Sequence, residues 1–149
     1  MKLFKPSIRT FRRRLASIDS APQFAILGIA SGFLTGLVII AFRLAIEWPL
    51  DRLLEDGPES FETLDPVAAF SLPIAGSILL VLIFSLLSKT NRRVGVVHVI
   101  ERLARHQGHM PLRNTVAQFI TGVVALASGH SGGREGPAIH LGAAGSSLI

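Results

Sequence analysis

Apolar and charged positions separate along this chain into long blocks. Four runs, Ser20 to Phe42, Pro66 to Ser88, Asn114 to Gly133 and Gly136 to Ile149, contain no Asp, Glu, Lys or Arg. An α-helix rises 1.5 Å per residue, so about 20 apolar residues match a hydrocarbon layer about 30 Å thick. The first two runs therefore predict membrane spans over about 24–46 and 67–88. Residues 94–113 predict a broken segment, because Val94 to Ile100 is apolar but too brief to cross and Glu101 to Arg113 is polar. The third run predicts a helix over 114–129, and Pro137 suits the first turn of a further helix over 137–149. The expected fold class is all-α, a polytopic integral membrane protein with broken or re-entrant helices. One membrane domain then covers 21–149.

Ahead of it, Phe4, Ile8, Phe11, Leu15 and Ile18 recur at helical spacing among six bases, Lys2 to Arg14. Residues 1–20 thus predict a basic amphipathic helix lying along an anionic leaflet. A secretory signal is the competing reading, but the apolar run that follows is long enough to span and no A-x-A-like cleavage site ends it. Charge bias gives the orientation. The loop after the first span holds seven acids, Glu47, Asp51, Glu55, Asp56, Glu59, Glu62 and Asp65, against Arg43 and Arg52. The next loop, Lys89 to Arg113, holds six bases and Glu101 alone. Because cytoplasmic loops accumulate Lys and Arg, the N-terminus is expected inside a multi-pass cell-membrane protein.

Composition agrees with a lipid-bilayer partner. Charged residues make up 17% of the 149 positions, against about 25% in soluble domains. The net charge of +5 does not indicate nucleic acid, since the bases flank apolar segments instead of forming one patch. With no cysteine there is neither a disulfide nor a thiolate metal site. Gly28, Gly32 and Gly36 place small residues on one face of the first span and suggest a packing face. Trp48 stands where an interfacial anchor belongs. Pro73 and Gly76 predict a kink or a broken first turn in the second span.

The chemistry concentrates in Gly129-His130-Ser131-Gly132-Gly133-Arg134-Glu135-Gly136-Pro137. An ionisable side chain at mid-bilayer costs about 2.5 to 3.5 kcal/mol, so Arg134 and Glu135 should avoid lipid. They line an enclosed aqueous cavity or sit at a membrane surface. A glycine-rich bend entering a helix exposes unpaired amides and the positive end of the helix dipole, which together suit an anion. A carboxylate there can take the anion's place, so Glu135 is a plausible gate. A capping acid in a first turn is the simpler alternative.

Gly133-Arg134-Glu135-Gly136-Pro137, continued by Ala138 to Gly142, resembles the G-(K/R)-E-G-P signature of the CLC family of chloride channels and proton/chloride antiporters. The resemblance extends back through the two spans and the broken segment. It implies that Glu135 gates the anion path and that the backbone amides of Arg134, Glu135 and Gly136 face the anion. Chloride then enters as the transported ligand, with no cofactor and no enzymatic activity expected. At the position of the family's G-S-G-I-P stretch, this chain has Arg93-Val94-Gly95-Val96-Val97. Val94 stands where the family serine donates a hydroxyl, which leaves the amides of Gly95 and Val96. The resemblance covers the first third or so of such a domain, so the chain is expected to be a fragment of a protein that is homodimeric when complete.

Three other constellations compete. Gly129 to Gly133 fits G-x-S-x-G, but Glu135 and His140 lie too close in sequence to Ser131 to return as triad members. His106 and His109 have metal-ligand spacing without a third ligand. A membrane anchor or assembly module without transport activity uses the Gly28 face. His98 has no assigned role at this level.

Overall fold

The computed structural model describes residues 21–54, 57 and 60–148. The amphipathic segment expected over 1–20 lies outside the described residues. Five α-helices follow one another: α1 (Ala21–Leu53), α2 (Pro66–Leu86), α3 (Val96–Arg105), α4 (Leu112–Ala127) and α5 (Glu135–Ser146), with a 3-10 turn at Phe61–Thr63 between α1 and α2. No strand occurs among the described residues.

Helices α1 and α2 are long and apolar enough to cross a membrane. Their apolar side chains are not used up by packing: Phe33 is 70% exposed and Phe70 78%. A helix that is apolar all round needs an apolar surround, which lipid supplies. At 33 residues and 1.5 Å each, α1 extends about 50 Å and outruns the hydrocarbon layer. Near its end, the Arg52 guanidinium lies 4.3 Å from the Trp48 ring centroid, which combines a cation with an interfacial aromatic ring.

Only the second half of α1 contributes a buried stripe. Phe42, Ile46 and Leu50 recur every four residues on one face and, with Leu54, form the core around Leu141 of α5. A second cluster joins Val99 of α3, Met110 and Ala144 of α5. Helix α5 therefore sits at the centre, against α1, α3 and α4. Close approach to α1 depends on Gly145, where a Cβ would stand 2.9 Å from Thr35 Oγ1. The glycine stripe is not used this way: Gly28, Gly32 and Gly36 meet nothing within 4 Å, and Thr35 beside them makes the contact.

Local structure departs from the sequence pattern in three places. Helix α2 runs unbroken through Pro73, since proline removes one ladder bond and the flanking turns keep theirs. It starts with Asp65 capping the Val67 N–H at 3.1 Å and Pro66 in the first turn. Next, the apolar stretch from Val96 and the polar one after Glu101 belong to a single helix, α3, which ends at His106. Finally, α5 starts two residues before Pro137. A proline in the first turn has no ladder partner to lose, so Glu135 itself becomes the first helical residue.

Candidate functional site

The turn between α4 and α5 is held by side chains that bond back into the bundle. Ser128 ends α4 by donating its hydroxyl to Val124 O at 2.5 Å, and it contacts His130 Nδ1 at 2.9 Å. His130 Nε2 reaches Ser77 Oγ of α2, also at 2.9 Å. Gly76 makes this approach possible, because a Cβ there would land on the Ser128 side chain. Gly129, at φ 76°, reverses the chain in the left-handed region and lies against the Phe61 ring. A proline-kinked second span was one expectation for Gly76. Its role in the structure is to seat the turn.

From that anchor the chain enters α5 through exposed Gly132 and Gly133. The helix ladder begins with the Ala138 N–H bonding Arg134 O at 3.0 Å, so the amides of Glu135 and Gly136 precede it and Pro137 has none. The Glu135 side chain is exposed, and Oε2 lies 3.7 Å from where a Gly133 Cβ would be. The carboxylate thus folds back over its own turn, where a larger residue would crowd it. Arg134 Nη1 points to Glu47 Oε1 on α1 at 3.7 Å, and Arg43 Nε donates to the same oxygen at 2.6 Å. A cavity of about 300 Å³ opens between this turn and α1, lined by Ile46, Leu50, Phe61, Gly132 and Arg134.

The second candidate site, at the start of α3, is closed. Gly95 caps the helix at φ 84°, but its N–H donates to Gln118 Oε1 of α4 at 2.7 Å. The Gly95 amide offered to an anion by the sequence reading is therefore already bonded, and Val96 is the first residue past it without a ladder partner. Val94 is half-buried and has no donor. One turn before Gln118, buried Asn114 donates to Thr90 O at 2.9 Å and to Arg93 O at 2.8 Å. Sequence reasoning passed over both residues, although polar side chains four apart inside a charge-free run signal a stripe facing protein instead of lipid.

Helices α3 and α5 meet at two histidines. The rings of His98 and His140 stack at 5.6 Å with 23° between planes, and His140 is fully buried. The remaining candidates are dispersed. Ser131 is exposed, while the nearby His130 is bonded to Ser77 and Ser128. His106 and His109 are exposed beyond α3, and the His109 carbonyl accepts from Arg102 Nε at 2.6 Å.

Comparison with known families places these elements together. The family model described as voltage gated chloride channel matches residues 75–149, from inside α2 through the turn and α5. No curated protein and no solved structure matches the chain. The matched half carries Gly76, both helix starts and the whole Gly133 to Pro137 signature, and the chain, with its two membrane-capable helices α1 and α2, forms part of a membrane domain. The chain belongs to the voltage gated chloride channel family, whose members are membrane channels and transporters and not enzymes in the usual sense.

Proposed function

We infer that this chain contributes the gate of a pathway for small monovalent anions, with chloride as the transported ion. One observation carries the reading: the amides of Glu135 and Gly136 precede the first ladder bond of α5, and the acid beside them is exposed and free to swing. The orphan amides and the helix dipole favour negative charge at this spot. An ionised Glu135 competes for it; a protonated or displaced one yields to the anion. Arg134 sets a cation at the rim, where its pairing with Glu47 positions it without placing it in lipid. The amides of Arg134 and Val96 complete the proposed donor set, and Gly95 joins it only if Gln118 lets go. The same reading includes a homodimer in the cell membrane, with the N-terminus on the cytoplasmic side.

The sign of the pH response follows. Protonation removes the competing charge, so anion flux should rise as pH falls and Glu135→Gln should flatten that dependence. Glu135→Ala should do the same while widening the passage. Chloride efflux from vesicles carrying the full-length protein, followed at several pH values, is the measurement. An unchanged pH profile in both variants would reject the gate.

A further inference from the structure

A second cavity, which shares no lining residue with the one beside the gate turn, is not explained by anion gating. It measures about 290 Å³ and lies where α2 ends, α3 turns away and α4 begins. Lys89, Arg93, Arg102 and His106 line it, with Asn114 from the first turn of α4 and His98 as a buried wall. Glu101 is the acid on that wall, and Arg93 Nη1 holds it at 3.2 and 3.4 Å from its two oxygens. Arg102 spends only Nε, on His109 O, which leaves its terminal nitrogens as donors. Lys89 forms no ion pair among the described residues.

Two further features bear on this cavity. The positive end of the 16-residue α4 borders it through Pro111 and Asn114. Neither ring nitrogen of His98, 7% exposed, has a hydrogen-bond partner, and a buried polar group left unpaired is costly. The cavity exceeds what one halide fills. Its uncommitted donors, the Arg102 guanidinium and the Lys89 ammonium, come from separate segments and suit a tetrahedral oxyanion with several acceptors.

We propose that this cavity binds a phosphate group, as a phosphate ester. Lys89 follows α2 by three residues, at the depth of lipid headgroups, so an anionic phospholipid and a soluble phosphate share the chemistry. The site does not depend on Glu135.

The test uses the full-length protein in a maltoside detergent with gluconate as counter-ion. One arm follows thermal stabilisation by inorganic phosphate, and the other follows retention of phosphatidic acid against phosphatidylethanolamine by native mass spectrometry. Stabilisation in the first arm identifies a soluble source; retention only in the second identifies a lipid headgroup. In whichever arm binds, Lys89→Gln with Arg102→Gln should weaken affinity at least about tenfold. The charge-matched pair Arg105→Gln with Arg113→Gln, outside the cavity, should change it less than about twofold. Absence of binding in both arms, equal weakening by the two pairs, or displacement by chloride at equal concentration would overturn the proposal. Chloride flux measured in parallel reports on the gate separately.

Discussion

Two helices begin at the glycine-rich ends of this fold, and their first amides meet different fates. At α3 the Gly95 N–H is taken by Gln118, a neutral side chain fixed on a neighbouring helix. At α5 the free amides stand beside Glu135, a charged side chain of the same turn that is exposed. Both helices have the dipole, so the dipole does not decide which start can serve an anion. What decides is whether the local acceptor is held from outside or can leave. Gln118 is a plug held by α4, whereas Glu135 is exposed on its own turn, as the proposed gate requires.

The largest expected effect comes from disturbing the seat of the gate. Gly76→Ala would put a methyl group on Ser128, which ends α4, so that one of the two helices must shift. Overpacking of this kind costs about 1 to 3 kcal/mol, read as a lower unfolding temperature in detergent. Flux should fall with it, because Ser128, His130 and Ser77 lose their alignment. Ser77→Ala, which removes only the bond to His130, should cost about 1 kcal/mol or less. If Gly76→Ala is as stable as the parent, the turn is not held by α2 and the contrast between a seated and an unseated helix start fails.

Much of this arrangement is legible in the sequence. Charge-free runs marked α1 and α2, since lipid forbids isolated charge, and the Gly133 to Pro137 signature located the turn. Pro137 fits any position in a first turn, so the sequence alone places the start of α5 two residues late, and the observed ladder puts it at Glu135. Pro73 and Gly76 predict a kink or a broken first turn, and α2 runs as one helix from Pro66 to Leu86. The bonds of Gln118 and Asn114 and the stacking of His98 on His140 were beyond reach for another reason. Each depends on a partner more than twenty residues away, which periodicity along one helix does not encode. Gly28, Gly32 and Gly36 show the reverse limit, a regular pattern with no partner among the described residues.

A middle-sized effect tests the plug. Gln118→Ala leaves the Gly95 amide without its acceptor and opens space beside it. In gluconate the loss should be about 1 kcal/mol of stability, the net value of one such bond. If an anion can occupy the vacated place, added chloride should recover part of that loss in Gln118→Ala and little in the parent. Equal chloride responses in the two proteins would mean that α3 stays outside the anion path even when unplugged.

The smallest effect belongs to Val94, one residue before the plugged Gly95 amide. It is half-buried and offers no donor, so any anion near the α3 start is coordinated by amides alone on that side. Val94→Ser replaces two methyl groups with one hydroxyl on a smaller side chain. A single hydrogen bond contributes about 0.5 to 1.5 kcal/mol net, which should move the chloride-to-nitrate flux ratio of the full-length protein by about two- to tenfold. Because Gln118 still occupies the Gly95 amide, the shift should be larger in Val94→Ser with Gln118→Ala than in Val94→Ser alone. An identical ratio in all three backgrounds would place the anion against α5 only, and the comparison of the two helix starts would then reduce to a single open one.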